Sequence, residues 1–460
     1  MGKRIVVIGG GPGGYVAAIR AAQLGAAVTL VEKGSLGGTC LNVGCIPTKV
    51  LLHSAELYSA VKNEGPSIGI LAEGVRFDWA AIQKRKASVV SQLVGGVGVL
   101  LKSNGVDRVT GEAKLTSPRT VEAGGRVIEA DAIVIATGSV PSVPPIKGLA
   151  IGGNVITSDG ALSLPSLPGS IAIAGGGVIG VEFASVFSSF GVSVTVVEML
   201  PQILPNIDSE IAAVLRAALE AKGVVFHTGA KLNSVESDGS SVSLDVGTES
   251  GPIKLNVDTL LVATGRRPSA PDMGTAGVDV QRGRIVVNEY METSVPGIYA
   301  IGDCASPIML AHVASREGEI AVENAMGARE KMEYKTVPSA IYTSPAAASV
   351  GLSEDAARKA GHKVKVGRFP LSANGKSVIA GDAGGLIKIV ADERYDEVLG
   401  VHILGGPATD MIAEAGLALR LEATIDEIVT TIHAHPTVSE AMGEAALAAL
   451  GRAIHMPKKQ

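Results

Sequence analysis

Two cysteines five positions apart stand in Gly37-Gly-Thr-Cys40-Leu-Asn-Val-Gly-Cys45-Ile-Pro-Thr-Lys49. A histidine stands far down the chain, in His433-Ala-His435-Pro436-Thr437-Val-Ser-Glu440. A dithiol beside a redox cofactor can pass two electrons through a disulfide, but only a thiolate is nucleophilic, so the exchange needs a base. His435 suits that need: Pro436 restricts its backbone, and Glu440 is near enough in sequence to hold its Nδ1–H. Glu440 has a second reading, because Thr437-x-x-Glu440 is also a capping box for a following helix. Spacing leaves the two readings equal. His433 lacks so obvious an orienting neighbour and reads as a structural histidine. Positions i and i+5 of a regular helix lie roughly 8 Å apart, beyond the about 7 Å that a disulfide tolerates between Cα atoms. The segment between the cysteines is therefore expected to bend out of helix, which Asn42 and Gly44 permit.

The elements that must position this chemistry occur twice. Ile5-Val-Val-Ile-Gly9-Gly-Gly11-Pro-Gly-Gly14 is followed by Gly25 and Val28-Thr-Leu-Val-Glu32. Ile171-Ala-Ile-Ala-Gly175-Gly-Gly177-Val-Ile-Gly180 is followed by Gly191 and Val194-Thr-Val-Val-Glu198. Each reads as strand, G-x-G-x-x-G, helix, strand and acid, with 23 positions from first glycine to acid (9 to 32, 175 to 198). This is the Rossmann βαβ pattern: a tight turn, a close backbone approach to pyrophosphate, a helix packed on its strand, and a carboxylate for a ribose hydroxyl. One such string is weak in a chain with 58 glycines; two matched copies are strong. Asp131-Ala-Ile-Val-Ile-Ala-Thr137-Gly138 and Asp258-Thr-Leu-Leu-Val-Ala-Thr264-Gly265 form a second matched pair, read as buried strands closing each unit. Gly297-Ile-Tyr-Ala-Ile ends in Gly302-Asp303, where a carboxylate could meet a polyol. From about 336 the pattern changes, with strands expected near 346–351, 363–369, 385–390 and 398–403, then helices at 410–421 and 439–450. The expected fold is α/β, two Rossmann-like dinucleotide-binding domains with a C-terminal α+β domain suited to oligomerisation.

Apolar residues make up 46% of the chain, so it is globular. Aromatics are 3%, and 40 basic residues mix with 45 acidic ones, which argues against nucleic-acid or membrane partners. No run approaches the about 18 apolar residues of a membrane span. The amino-terminal apolar run contains the glycine signature and is interrupted by Arg20, so it does not read as a signal peptide; Val6 breaks a myristoylation pattern. Three cysteines make no secreted framework; a cytoplasmic setting and a catalytic disulfide are expected, and no metal. Cys304 reads as a small buried residue.

The cysteine segment, the two nucleotide units and the His-Pro-Thr-x-x-Glu ending, in that order, resemble the class I pyridine nucleotide-disulfide oxidoreductases over essentially the full length. The resemblance implies an FAD-binding domain with the redox disulfide (1–150), an NAD-binding domain (151–270), a segment completing the FAD site (271–335) and an interface domain (336–460). FAD would be held by Gly9, Gly11, Gly14, Glu32, Lys49, Ala113, Thr137, Gly138, Ser139, Asp303, Met309, Leu310, Ala311 and His312. NAD would be held by Gly175, Gly177, Val178, Ile179, Gly180, Glu182, Glu198, Leu232 and Gly265. Cys40 would meet the substrate, Cys45 would face the flavin, and Lys49 would pair with Glu182 near it. His435 with Glu440 would serve the other subunit of a homodimer. The implied activity is oxidation of protein-bound dihydrolipoamide to lipoamide with reduction of NAD. Its partners would be lipoyl domains of a 2-oxo-acid dehydrogenase complex or of a glycine-cleavage lipoyl protein. The alternative within enzymes is an NADPH-dependent reductase of glutathione or a related disulfide. Glu198 speaks against it, because an acid there repels a 2′-phosphate. Some relatives of this architecture carry an extra C-terminal cysteine pair, which Met456-Pro-Lys-Lys-Gln460 lacks. A non-catalytic scaffold would be expected to lack one of Cys40, Cys45, His435 and Glu440; all are present.

Overall fold

The computed structural model describes residues 2–457. Arg4–Ile8 is the centre of a five-stranded parallel sheet, with Ala27–Glu32 and Asp107–Thr110 on one side and Ala132–Ile135 and Ile298–Ala300 on the other. Ile5 to Ile8 are all buried, as an unbroken apolar run in a two-sided parallel sheet should be. The last strand comes from far along the chain, so the second nucleotide unit is inserted into the first.

That second unit repeats the layout. Ser170–Ala174 is central, flanked by Ser193–Val197 and Val225–His227 on one side and by Thr259–Val262 and Val155–Thr157 on the other, all parallel. The duplication goes further than the glycine motifs. Each unit also carries a three-stranded antiparallel sheet before its closing strand. These are Lys114–Ser117, Thr120–Ala123 and Arg126–Glu129 in the first, and Lys231–Ser237, Val242–Thr248 and Gly251–Val257 in the second.

The remainder is an antiparallel sheet in the order Ser339–Ile341, Ala347–Gly351, Val398–Leu404, Leu386–Asp392, Val364–Pro370. Helices Ala408–Arg420, Ile425–Thr430 and Glu440–Ala449 pack on it through Met411, Ile412, Ile428, Met442 and Ala445. The expected strands and long helices are present within a few residues of their anticipated bounds. Ile425–Thr430 was not anticipated, although Thr424 and Glu427 form a capping box at its start.

The helix Cys45–Ser59 decides where the chemistry sits. Leu51, Leu52 and Ala55 share one core with Val181, Phe183 and Phe187 of the second unit's helix Val178–Ser189, and with Ile341 and Leu404. Burying that apolar stripe sets the start of the cysteine helix against the second nucleotide unit. Among the described residues no helix is long and apolar enough to cross a membrane.

Candidate active site

A continuous cavity of about 2160 Å³ runs from the first glycine unit, past both cysteines, to the second. A pocket for one drug-sized ligand is roughly 300–1,000 Å³, so there is room for two dinucleotides. The glycine units grip it alike. Gly9 and Gly175 have φ of 106° and 113°, and a Cβ on either would lie 2.3 or 2.5 Å from the oxygen of Ala136 or Ala263. Gly11 and Gly177 line the cavity with nothing closer than 3.8 Å to the position a Cβ would take, which leaves the backbone open to a phosphate. Gly14 and Gly180 lie behind, packing helix on strand, and do not line it. Glu32 accepts the backbone N–H of Gly10 at 2.6 Å and of Gly34 at 2.7 Å; Glu198 accepts those of Gly176 at 2.6 Å and of Leu200 at 2.8 Å. Every carboxylate oxygen keeps a further lone pair for a ribose hydroxyl.

Lys49, Ala113, Thr137, Gly138, Ser139, Asp303 and Met309 through His312 all line the cavity, and so do Val178, Ile179, Glu182, Glu198, Leu232 and Gly265. Ser139 donates its hydroxyl to Asp303, and Thr137 donates to the oxygen of Ser269 at 2.5 Å. Cys304 is fully buried, its thiol pushed up by burial, and directed at backbone carbonyls.

The cysteine segment does bend, but at one residue. Helix Gly38–Val43 ends at Gly44 and the next helix starts at Cys45. A Cβ on Gly44 would come within 2.9 Å of the Thr39 oxygen. Asn42 needs correction: it stays helical, and its amide donates to the oxygens of Leu36 and Gly38, both at 2.9 Å. The two thiols are unbridged and adjacent. Hydrogen bonding from the Cys40 side chain lowers the Cys45 thiol to about 7; burial opposes this, and Lys49 assists it. The same contact, with burial, pushes the Cys40 thiol up. The arrangement therefore puts the thiolate on Cys45.

Lys49 and Glu182, which spacing alone would make a surface lysine and an ordinary helix glutamate, form a salt bridge at 2.8 Å to both carboxylate oxygens. Glu182 is 3% exposed and also accepts the Tyr342 backbone N–H at 3.0 Å, and the Lys49 ammonium lies 4.5 Å from the Tyr342 ring centre. Arg266 was missed. It donates to the Ser139 hydroxyl at 2.7 Å, the Ser139 carbonyl at 2.8 Å and the Thr39 hydroxyl at 3.3 Å, tying the residue before Cys40 to the first unit's closing loop. The repeat held the clue. Ser139 and Arg266 follow the matched glycines Gly138 and Gly265, and the strands that they begin, Ser139–Pro141 and Arg266–Pro268, pair with one another.

His435 and Glu440 lie outside this cavity, in the C-terminal domain. Glu440 takes both of its expected contacts, one oxygen each: Oε1 lies 2.9 Å from His435 Nδ1, and Oε2 accepts the Thr437 N–H at 2.9 Å. That N–H, then His435, hold its carboxyl below the usual range. The capping-box reading is corrected: the helix starts at Glu440 itself, and the Thr437 hydroxyl donates to the oxygen of Ala434. His433 also has an orienting partner, Glu414, 2.8 Å from its Nε2. It was invisible in sequence because it lies on another helix. His362 and His455 pair with Asp392 and Glu444 as well, so a carboxylate partner does not single out His435. Accessibility separates it from His433, with a side chain 80% exposed against 10%, but not from His455, which is 69% exposed. Among the described residues no cluster could hold a metal ion.

The profile described as "Pyridine nucleotide-disulphide oxidoreductase" matches residues 3–318, and the profile of its dimerisation domain matches 337–446. The chain is 45% identical to a dihydrolipoyl dehydrogenase of Bacillus subtilis, covering 98% of each, and 41% identical to the mitochondrial dihydrolipoyl dehydrogenase of Pisum sativum, covering 98% of this chain and 92% of that one. Among solved structures, LpdA from Mycobacterium tuberculosis superposes with a TM-score of 0.89 at 27% identity, over 96% of this chain and 99% of that one. The flavoprotein disulfide reductase RclA from Escherichia coli superposes with 0.87 at 29%, over 97% and 99%.

Proposed function

Starting from the fact that the chain belongs to the pyridine nucleotide-disulphide oxidoreductase family, we propose that it oxidises protein-bound dihydrolipoamide to lipoamide and reduces NAD to NADH. The observation that carries this is the Cys40–Cys45 pair, with its acidic thiol at Cys45, in one cavity between two glycine units. The first unit, with Lys49, Ala113, Thr137 to Ser139, Asp303 and Met309 to His312, would hold FAD. The second, with Glu182, Glu198, Leu232 and Gly265, would hold NAD. When bound, these cofactors supply a two-electron relay from dithiol to pyridine nucleotide.

The chain's own residues do the sulfur and proton chemistry. In the oxidised enzyme Cys40 and Cys45 share a disulfide. His435, reaching in from the second subunit of a homodimer, takes a proton from one substrate thiol, and the thiolate attacks the Cys40 sulfur. Cys45 leaves as a thiolate, which Lys49 stabilises. The second substrate sulfur then displaces Cys40, closing the lipoamide disulfide: the His435 imidazolium protonates the departing Cys40 and, once neutral, takes the proton of the second substrate thiol. Glu440 keeps the imidazole Nδ1–H engaged, so that Nε2 faces the thiol. The substrate arrives on a lipoyl domain of a 2-oxo-acid dehydrogenase complex or of a glycine-cleavage protein. A cytoplasmic setting, where disulfides are usually catalytic, suits this reading.

A second reading, reduction of glutathione by NADPH, is opposed by Glu198, which would face a 2′-phosphate. The test is direct. Purify the holoenzyme, record its flavin spectrum, and compare dihydrolipoamide with NAD against oxidised glutathione with NADPH. Activity confined to the second pair overturns the proposal.

A further inference from the structure

The loop Met199–Ile207 follows the ribose acid Glu198, and Met199, Leu200, Leu204, Pro205, Asn206 and Ile207 line the second unit's part of the cavity. Its backbone N–H at Leu204 donates to the oxygen of Gly176 at 2.9 Å, so the loop also braces the glycine turn. Leu204 has φ 52°, a left-handed conformation that a branched residue holds only when its surroundings impose it. One end of the loop is held by Glu198 through Leu200. The other end runs into Asp208, and its anchor comes from a different domain.

Asp208 caps the helix Ser209–Ala221 and binds Lys388 of the C-terminal sheet, with both oxygens 3.0 Å from the ammonium. Lys388 lies 3.1 Å from both Glu210 and Glu354, with its side chain 3% exposed. Arg368, its neighbour across the sheet, bridges the same two glutamates at 2.7 Å each. Burial works against the Asp208 carboxylate, yet the hydrogen bond from Lys388, the nearby His402 and the Lys388 charge together hold the group below its usual range. A lysine this deeply buried and this fully paired fixes one geometry.

We propose that Lys388 is a positioning residue for the pyridine nucleotide: through Asp208 it holds the Met199–Ile207 loop, and hence the Gly176 turn, in the shape that receives NAD. Lys388, which does not line the cavity, thereby sets nucleotide affinity from a distance. The inference rests on the reading of the second glycine unit as the NAD site.

The test uses flavin-loaded protein. In Lys388→Met the dissociation constant for NAD, titrated directly by calorimetry, rises about tenfold, and KM for NAD rises with it. Flavin reduction by dihydrolipoamide without NAD, and kcat at saturating NAD, stay within about twofold; Lys388→Arg recovers most of the affinity. Should Lys388→Met not fold, the doubly neutral Asp208→Asn/Lys388→Gln pair takes its place with the same expectation. A folded variant with wild-type NAD affinity, or one losing kcat and flavin reduction as much as affinity, overturns the proposal. Wild-type protein that fails to bind NAD at all overturns instead the reading on which it rests.

Discussion

The thiol of Cys45 is lowered from 9.0 to about 7. The largest cause is the contact with Cys40, and burial acts in the opposite direction, so the donor on Cys40 should be decisive. Replacing Cys40 by serine keeps an O–H that can donate; replacing it by alanine removes the donor and keeps the burial. In Cys40→Ser the Cys45 thiol should titrate near 7, leaving about half of it ionised at neutral pH. In Cys40→Ala the midpoint should climb to about 8–9, and the ionised fraction at neutral pH should fall to roughly 1–10%. The assay is the rate of alkylation by iodoacetamide against pH. Cys304 is fully buried, so Cys45 is the accessible thiol in both variants. A common midpoint for the two would refute the reasoning and shift the cause to Lys49.

His435→Ala should leave a folded yellow protein whose lipoamide turnover is down by about 10²–10⁴-fold, the usual contribution of a general base. His433→Ala, which removes a mostly buried side chain paired with Glu414, should lower the melting temperature more than the turnover; equal turnover in the two variants would remove His435 from the mechanism. Gly44→Ala should cost about 1–3 kcal/mol, because the new methyl meets the Thr39 carbonyl and the backbone must shift; an unchanged thermal melt would count against that contact. Arg266→Met strips one hydrogen bond from Thr39 and two from Ser139, and should destabilise the holoprotein by about 1–3 kcal/mol, which a denaturant titration would register.

Much of the fold was legible because it is written locally. Ile5 to Gly14 and Ile171 to Gly180 each carry strand, turn and helix start within ten positions, and the turn glycines have no substitute. Four of the five strands of the C-terminal sheet were legible as short apolar runs; the edge strand Ser339–Ile341 was not. Contacts assembled by packing were not. The Lys49–Glu182 bridge, expected from the family resemblance alone, exists because Leu51 and Leu52 bury against Phe183 and Phe187, and no local pattern reports which helices meet. Glu414 reaches His433 from a separate helix, and Lys388 reads as one more surface lysine in a strand until the helix beginning at Ser209 covers it. Asn42 misled for the opposite reason: its type favours a bend, but two hydrogen bonds to nearby carbonyls hold it in helix.

Glu32 and Glu198 brace their glycine turns through the same pairs of backbone groups, at nearly the same distances. Two sockets wired alike recognise the same half of a ligand, the adenosine and its diphosphate. Neither can tell by that half whether it holds FAD or NAD. On the proposed assignment of FAD to the first socket and NAD to the second, the choice would be made where the copies diverge: by Asp303 and Met309 to His312 around the first, and by Met199 to Ile207 around the second. Residence time should divide along the same line. An exchange of the divergent segments should move tight retention from one socket toward the other, whereas an exchange of the glycine turns should leave each nucleotide where it was.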